Sequence, residues 1–347
     1  MKNLTGSEIA KLAGVSRSTV SRVVNGYSNV PEVTKKRVMK IINEHEYYPL
    51  LSGQLLAGKR TGTLGFFWIS ETPIAHDILS NAIFAHVSEA VASLGYLVLV
   101  SIIKNLTDEE NIQAVKKLFM QERIDAGIFV GANNNEPLIE ELIEKEMIVG
   151  LFSHFHPDRH EPNRISVNFE KDTGSKVIDY VYKLGHRKIA VIDGIYENDY
   201  CLFTRHESFM QGMMQHGIEI RPEWMYQVIN HEDDSYIVTK NLIAECRLKG
   251  EFPTVICTFN DAAAFGVYSA LHEENILIPD QISVIGIDGH EAGKLLQPQL
   301  TTFAFDFQKF FLSLADRTIK TVEQSENVPL TEFFTSTLIE RESCRRI

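Results

Sequence analysis

The chain has 347 residues, 44% of them hydrophobic, which is enough for more than one packed core and argues for two or three domains. Its net charge is −12, yet residues 1–60 hold 10 Lys and Arg against 4 Glu, a balance of +6, and the remaining 287 residues stand at −18. Phosphate-seeking charge is therefore concentrated in one small module, while the larger part repels polyanions. No apolar run reaches the ~18 residues of a membrane span. No apolar secretory segment follows Lys2, so a cytoplasmic protein is expected. Cys201, Cys246, Cys257 and Cys344 show no metal-knuckle spacing and are expected to be reduced, buried thiols. Phosphate-loop, nucleophile-elbow, zinc-protease and dinucleotide fingerprints are all missing, so neither an enzyme nor a bound cofactor or metal is expected.

Thr5 and Glu8 stand at capping-box spacing, and Ile9, Leu12 and Ala13 follow on one helical face, which predicts a short helix over 6–13. Gly14 suits the left-handed turn that ends it. Ser16 caps a second helix whose apolar face is Val20, Val23 and Val24, and Asn25-Gly26 terminates it. A third helix starts near Pro31, turns Val38, Ile41 and Ile42 inward and runs to about His45, with Lys35, Lys36, Arg37 and Lys40 outside. Two short helices joined across a glycine turn form a helix-turn-helix. Arg17, Ser18, Ser21 and Arg22 point away from the apolar face of the second helix. Those positions enter the major groove in such a motif, where a guanidinium grips guanine bidentately and hydroxyls reach phosphates.

From Leu64 onward, apolar strand-like runs alternate with helical patterns: strands at 64–69, 96–102, 126–130, 148–152, 189–192, 254–259 and 282–287, and helices at 78–94, 108–121, 137–145, 171–184, 203–216 and 261–274. Such alternation predicts parallel sheets covered by helices on both faces, arranged as two α/β lobes with a ligand cleft beyond the strand ends. Arg205, Asn260 and Asp288 fall at those ends. A guanidinium, an amide and a carboxylate on converging loops can each pair adjacent hydroxyls of a polyol. Asp261 reads better as a helix cap, whereas Asn260 and Asp288 stay open between capping and ligand contact. The histidines of Ser153-His154-Phe155-His156-Pro157-Asp158-Arg159-His160 read as a solvated loop between lobes rather than a metal site.

Ile9-Ala-Lys-Leu-Ala-Gly-Val-Ser-Arg-Ser-Thr-Val-Ser-Arg-Val-Val-Asn25-Gly26, with Tyr47-Tyr48-Pro49 and Leu55-Leu56-Ala57-Gly58-Lys59, resembles the lactose-repressor/galactose-repressor family nearly continuously over residues 4–60. Tyr182–Ala190, Asn260–Gly266, Pro279–Asp288 and Pro298–Thr302 are similar to the family's sensor domain, which shares its fold with periplasmic sugar-binding proteins. The resemblance implies a helix-turn-helix domain over 1–49, a hinge helix over 50–60 and a two-lobed sensor over 61–347. The lobes would take roughly 61–160 with 291–323, and 161–290 with 324–347. It implies that Arg17, Ser18 and Arg22 read bases, that Ser16, Thr19, Ser21 and Asn25 anchor phosphates, and that Thr5, Gly53, Leu56 and Lys59 complete the DNA-contacting set. Leu56 would be the wedge at the operator centre. Leu50, Leu51 and Gly53 depart from the family's hinge, which predicts a segment that is disordered off DNA and orders reluctantly on it.

In the sensor, the resemblance implies effector contacts from Arg205, Asn260 and Asp288, with Asp77, Phe129 and Ser153 as further candidates. Ser153 stands where several family members carry Asp. The partners expected are a palindromic double-stranded operator, a small sugar or sugar-derived effector, and a second copy of the chain in a homodimer, with no membrane. A purine-like effector, or control by a protein partner, is the alternative.

Overall fold

The structure is a computed structural model that describes residues 4–48, 60–70, 78–104, 106–133, 135–155, 158–195, 199–229, 231–324 and 329–347. It divides into two units, Met1–Thr61 and Gly62–Ile347.

In the first unit, α1 (Gly6–Ala13), α2 (Arg17–Val24) and α3 (Glu32–Glu44) follow one another closely. The box that starts α1 is complete: Glu8 N donates to Thr5 Oγ1 at 3.3 Å, and Thr5 N donates to Glu8 Oε2 at 2.6 Å. Gly14 adopts φ +61°, which turns the chain out of α1 without the penalty a Cβ would carry. Pro31 occupies the cap position of α3, one residue before the helical position expected for it. Ile9, Ala10, Ala13, Val20, Val23, Val38 and Ile42 form the core of the unit.

The second unit contains two six-stranded sheets. Its strands are β1 (Thr63–Ile69), β2 (Leu97–Ile103), β3 (Ala126–Val130), β4 (Val149–Phe152), β5 (Arg164–Phe169), β6 (Ile189–Gly194), β7 (Met225–Val228), β8 (Val255–Thr258), β9 (Ser283–Asp288), β10 (Thr301–Ala304), β11 (Thr331–Phe334) and β12 (Thr337–Ile339). The first sheet runs β11-β5-β4-β3-β1-β2 and the second β12-β10-β9-β8-β6-β7. Every pairing is parallel except β10 with β12. The intervening helices are α4 (Ile78–Ser93), α5 (Glu109–Met120), α6 (Pro137–Glu144), α7 (Thr173–Lys183), α8 (Tyr200–Gln215), α9 (His231–Lys249), α10 (Asp261–Glu273) and α11 (Phe307–Glu323). Because helices cover both faces, β3, β5, β8 and β9 are buried along their whole length; β3 and most of β8 and β9 read as apolar runs, whereas β5 alternates Arg164, Ser166 and Asn168 with Ile165, Val167 and Phe169.

Strand pairing moves the expected lobe boundaries. Residues 164–169 and 331–334 belong to the first sheet, not the second lobe, and 301–304 belong to the second sheet, not the first lobe. The chain crosses between lobes at 170–172, 305–306 and 335–336, and neighbouring crossings are fastened to one another. Glu170 Oε1 accepts from Ser336 N at 2.8 Å, and the Phe169 and Phe305 rings meet edge to face at 4.5 Å. Helices α9 and α11 and strands β5, β7, β10, β11 and β12 had no counterpart among the predicted elements. Among the described residues, no helix is long and apolar enough to cross a membrane, and no cluster could hold a metal ion. Cys201, Cys246 and Cys257 are buried free thiols and Cys344 is half-buried.

Candidate DNA-reading helix and candidate effector cleft

Helix α2 is set up from its first residue. Ser16 Oγ accepts from Thr19 N at 3.1 Å and lies 2.7 Å from Ser18 Oγ and 2.9 Å from Thr19 Oγ1, so one hydroxyl orders the first turn. With Val20 and Val23 buried, Arg17, Ser18, Ser21 and Arg22 are left exposed on the opposite side. Asn25 Nδ2 donates to Ser21 Oγ at 3.2 Å across the last turn. The Thr5 hydroxyl donates to Glu8 Oε2 at 2.8 Å. Lys35, Lys36, Arg37 and Lys40 are exposed along α3. Gly53, Leu56 and Lys59, with the whole 50–58 hinge segment, lie outside the described residues, as do Asp77 and His156.

In each lobe the central order is that of a doubly wound sheet, β2-β1-β3-β4-β5 and β7-β6-β8-β9-β10, so the connections reverse direction between β1 and β3 and between β6 and β8. A crevice opens beyond the carboxyl ends of the strands at such a point. The cleft between the lobes lies there, with about 820 Å³ of empty space including solvent at its mouth. The first lobe contributes Trp68 from β1, Phe152 from the end of β4 and Ser153 just after it, and Phe169 from β5, with Phe307 from the start of α11. The second contributes Asp199 and Arg205 around α8, His231 from α9, Phe259 and Asn260 after β8, and Asp288 at the end of β9. One wall is aromatic and the other polar.

Arg205 is buried and donates through Nη1 to the Phe259 carbonyl, and its guanidinium lies 5.5 Å from the Phe169 ring centre. Burial opposes its charge, but the acidic groups of Cys201, Asp288, Asp193 and Asp199 outweigh that penalty and hold the guanidinium charged. Burial pushes the Cys201 thiol up to about 11 and raises the Asp199 carboxyl above its usual range. Asp199 caps α8, accepting from Leu202 N at 2.9 Å.

The capping residue of α10 is Asn260, not Asp261: Asn260 Oδ1 accepts from Ala263 N at 2.8 Å. That bond fixes the amide, so Nδ2 is the donor toward His231 Nδ1 at 2.8 Å, and the imidazole accepts at Nδ1. Asp261, the first helical residue, is instead fully buried. It accepts from His290 N at 2.6 Å and from Thr302 Oγ1 at 2.7 Å. Burial pushes its carboxyl up to about 7 against these hydrogen bonds. It thereby anchors the turn that begins at Asp288, whose φ of +115° is strained for a side-chain-bearing residue.

Phe129 is not part of the cleft. Its ring stacks on Phe67 at 4.6 Å inside the core of the first lobe, because the residue faces the helix layer while Val130 and Gly131 reach the strand end. His154 is buried rather than solvated, with Nε2 3.1 Å from Asn133 O. Trp68, Asp199, His231 and Phe307 were missed in the sequence. Only Asp199 left a local signal there, a capping aspartate three residues ahead of Leu202.

A basic helix-turn-helix unit joined to a two-lobed, periplasmic-binding-protein-like α/β unit with a cleft defines a DNA-binding transcription regulator with a sensor. Residues 6–49 match the family described as bacterial regulatory proteins, lacI family, and residues 178–344 match the periplasmic binding protein-like domain. The chain belongs to the lacI family and is a DNA-binding transcriptional repressor. It is 29% identical over 302 residues to the transcriptional repressor PurR of Vibrio vulnificus (strain CMCP6), covering 86% of each chain. It is 26% identical over 305 residues to catabolite control protein A of Priestia megaterium, covering 86% of this chain and 87% of that one. The lac repressor dimer bound to operator and the anti-inducer ONPF shares its fold, with a TM-score of 0.83 at 24% identity over 99% of this chain and 100% of that chain.

Proposed function

We propose that the protein represses a carbohydrate-utilisation operon as a homodimer on a palindromic operator, and that a small sugar or sugar-derived effector in the cleft controls it. Arg17, Ser18 and Arg22 are assigned to bases, and Ser16, Thr19, Ser21 and Asn25 to phosphates, with Thr5, Gly53, Leu56 and Lys59 as further DNA contacts. Two copies of α2 one helical turn apart match the twofold symmetry of such an operator. Effector contacts are assigned to Arg205, Asn260, Asp288 and Ser153. The observation that carries the effector reading is the split of the cleft into the aromatic wall of Trp68, Phe152, Phe169 and Phe307 and the polar wall of Arg205, Asn260 and Asp288. A pyranose has the matching anatomy, an apolar ring face and a hydroxyl edge, and each bidentate polar partner can take two hydroxyls.

Closure of the lobes around the effector changes their relative position and so the operator affinity, by the ~1–3 kcal/mol typical of such coupling. A gel-shift titration of a palindromic operator against sugars, sugar derivatives and nucleobases tests this. The reading expects a sugar to change operator affinity at least about fivefold. A nucleobase that does so while sugars do not would favour the second reading, a flat purine-like effector stacked on the same aromatic wall.

A further inference from the structure

The cleft also constrains the charge of its ligand, an inference that rests on the cleft being the effector site. We infer that the effector carries no phosphate or carboxylate group and is bound as a neutral molecule.

Arg205 is the only Lys or Arg among the described residues that line the cleft. Its charge is already faced by Asp288, Asp193 and Asp199, and its Nη1 is taken by the Phe259 carbonyl. The imidazole of His231 is engaged at Nδ1 by the Asn260 amide, 2.8 Å away. Helices α8, α9, α10 and α11 all begin at the cleft, and an uncapped helix start is a natural anion site. Three of these starts carry a side-chain cap: Asp199 takes the N–H of Leu202 in α8, Asn260 that of Ala263 in α10, and Asp306 that of Lys309 in α11. The α8 cap is itself a carboxylate. Lys171, on the crossing next to the cleft, is engaged elsewhere, with Nζ 5.0 Å from the Phe155 ring centre and 5.8 Å from that of Tyr200. In residues 62–347, the positions outside the described set contain no Lys or Arg, so they supply no further permanent cation. An anion entering the cleft would meet more carboxylates than cations, the arrangement by which a site rejects a charge class.

The test uses the full chain with Trp224→Phe, which leaves Trp68 in the cleft as the only tryptophan. Its emission is followed during titration with inorganic phosphate and with probe pairs that share a skeleton: glucose with glucose 6-phosphate, galactose with galacturonate, adenosine with its 5′-monophosphate. In any pair that binds, the neutral member should bind roughly a hundredfold more tightly. Wild-type cleft residues should leave Trp68 unresponsive to phosphate. Adding Asp288→Asn, a residue that tolerates positive φ, should raise phosphate affinity about tenfold. A phosphorylated or acidic probe that changes Trp68 emission as readily as its neutral partner would overturn the inference, as would phosphate binding that Asp288→Asn leaves unaltered. Those results would leave the cleft reading intact. A probe that stabilises the protein while Trp68 stays silent would instead remove the effector from the cleft and overturn both.

Discussion

Asp261→Ala would remove the buried carboxylate that holds the turn between β9 and β10. Its oxygens accept from Thr302 Oγ1 at 2.7 Å and His290 N at 2.6 Å, and both donors would be orphaned inside the second lobe. An orphaned buried donor costs about 1–3 kcal/mol, so two cost roughly 2–6 kcal/mol. Relief of the carboxyl's own burial offsets part of this, leaving a net loss of roughly 2–4 kcal/mol. Urea unfolding read by tryptophan fluorescence isolates the effect, because Trp68 and Trp224 are the only tryptophans and both lie in the second unit. The midpoint should fall with the slope unchanged.

Gly286 adds a second arm to the same experiment. A Cβ at that position would come within 2.1 Å of Asp261 Oδ1, so Gly286→Ala alone should be severely destabilising. In the Asp261→Ala background the clash is gone, and the two changes should be non-additive by at least about 1 kcal/mol. A midpoint that Asp261→Ala leaves within about 0.5 kcal/mol of wild type, or strictly additive costs, would refute the account of the carboxylate.

Ser16→Ala should cost the first unit about 1 kcal/mol, seen as roughly fivefold faster hydrogen exchange of the α2 amides with sensor amides unchanged. Unaltered α2 exchange would contradict the cap's role. Burial pushes the His186 imidazole down to about 4, between Thr254 Oγ1 at 2.9 Å and Arg345 O at 3.1 Å. Its neutral form is therefore favoured in the fold: the stabilisation is fully present above about pH 6.5 and is lost as pH falls toward 4. His186→Gln should flatten the fall in melting temperature across that window, and parallel curves for the two proteins would rule the linkage out. Asp288→Ala should abolish the operator's response to effector while leaving effector-free operator affinity unchanged. A variant with unchanged response would exclude Asp288 from the site.

The N-terminal unit was legible almost residue by residue because its signals are local: a capping box at Thr5 and Glu8, a left-handed Gly14 and a capping Ser16 each act within four residues. The sensor was legible as alternating strands and helices, but not in its division into lobes. Which sheet β5, β10 and β11 join is decided by pairing with strands far away in sequence, and no local pattern records it. Arg205, Asn260, Ser153 and Asp288 all line the cleft: Asn260 and Asp288 were visible at strand ends, Ser153 only through the family resemblance, and Arg205 reaches the cleft from within α8. The cap expected at Asp261 sits one residue earlier, at Asn260, since a buried carboxylate at a helix start has the same sequence appearance as a capping one. Phe129 was misplaced because a strand end places one side chain in the cleft and its neighbour in the core, and one position decides which. Helix α9 joins an acidic first turn to a buried stripe of Ser235, Thr239, Leu242, Ile243 and Cys246, a face too polar at one end to show a clear apolar period.

Base reading by α2 is tested most directly by fluorescence anisotropy of two labelled duplexes, a palindrome selected from random DNA by the protein and a scrambled duplex of equal composition. Wild type should prefer the palindrome by at least about a thousandfold. Arg17→Ala should lose about 1–3 kcal/mol on the palindrome at one position of each half-site and almost nothing on the scrambled duplex. Equal losses on both would make Arg17 a phosphate contact, and a wild type that binds both duplexes alike would contradict sequence-specific recognition by this helix.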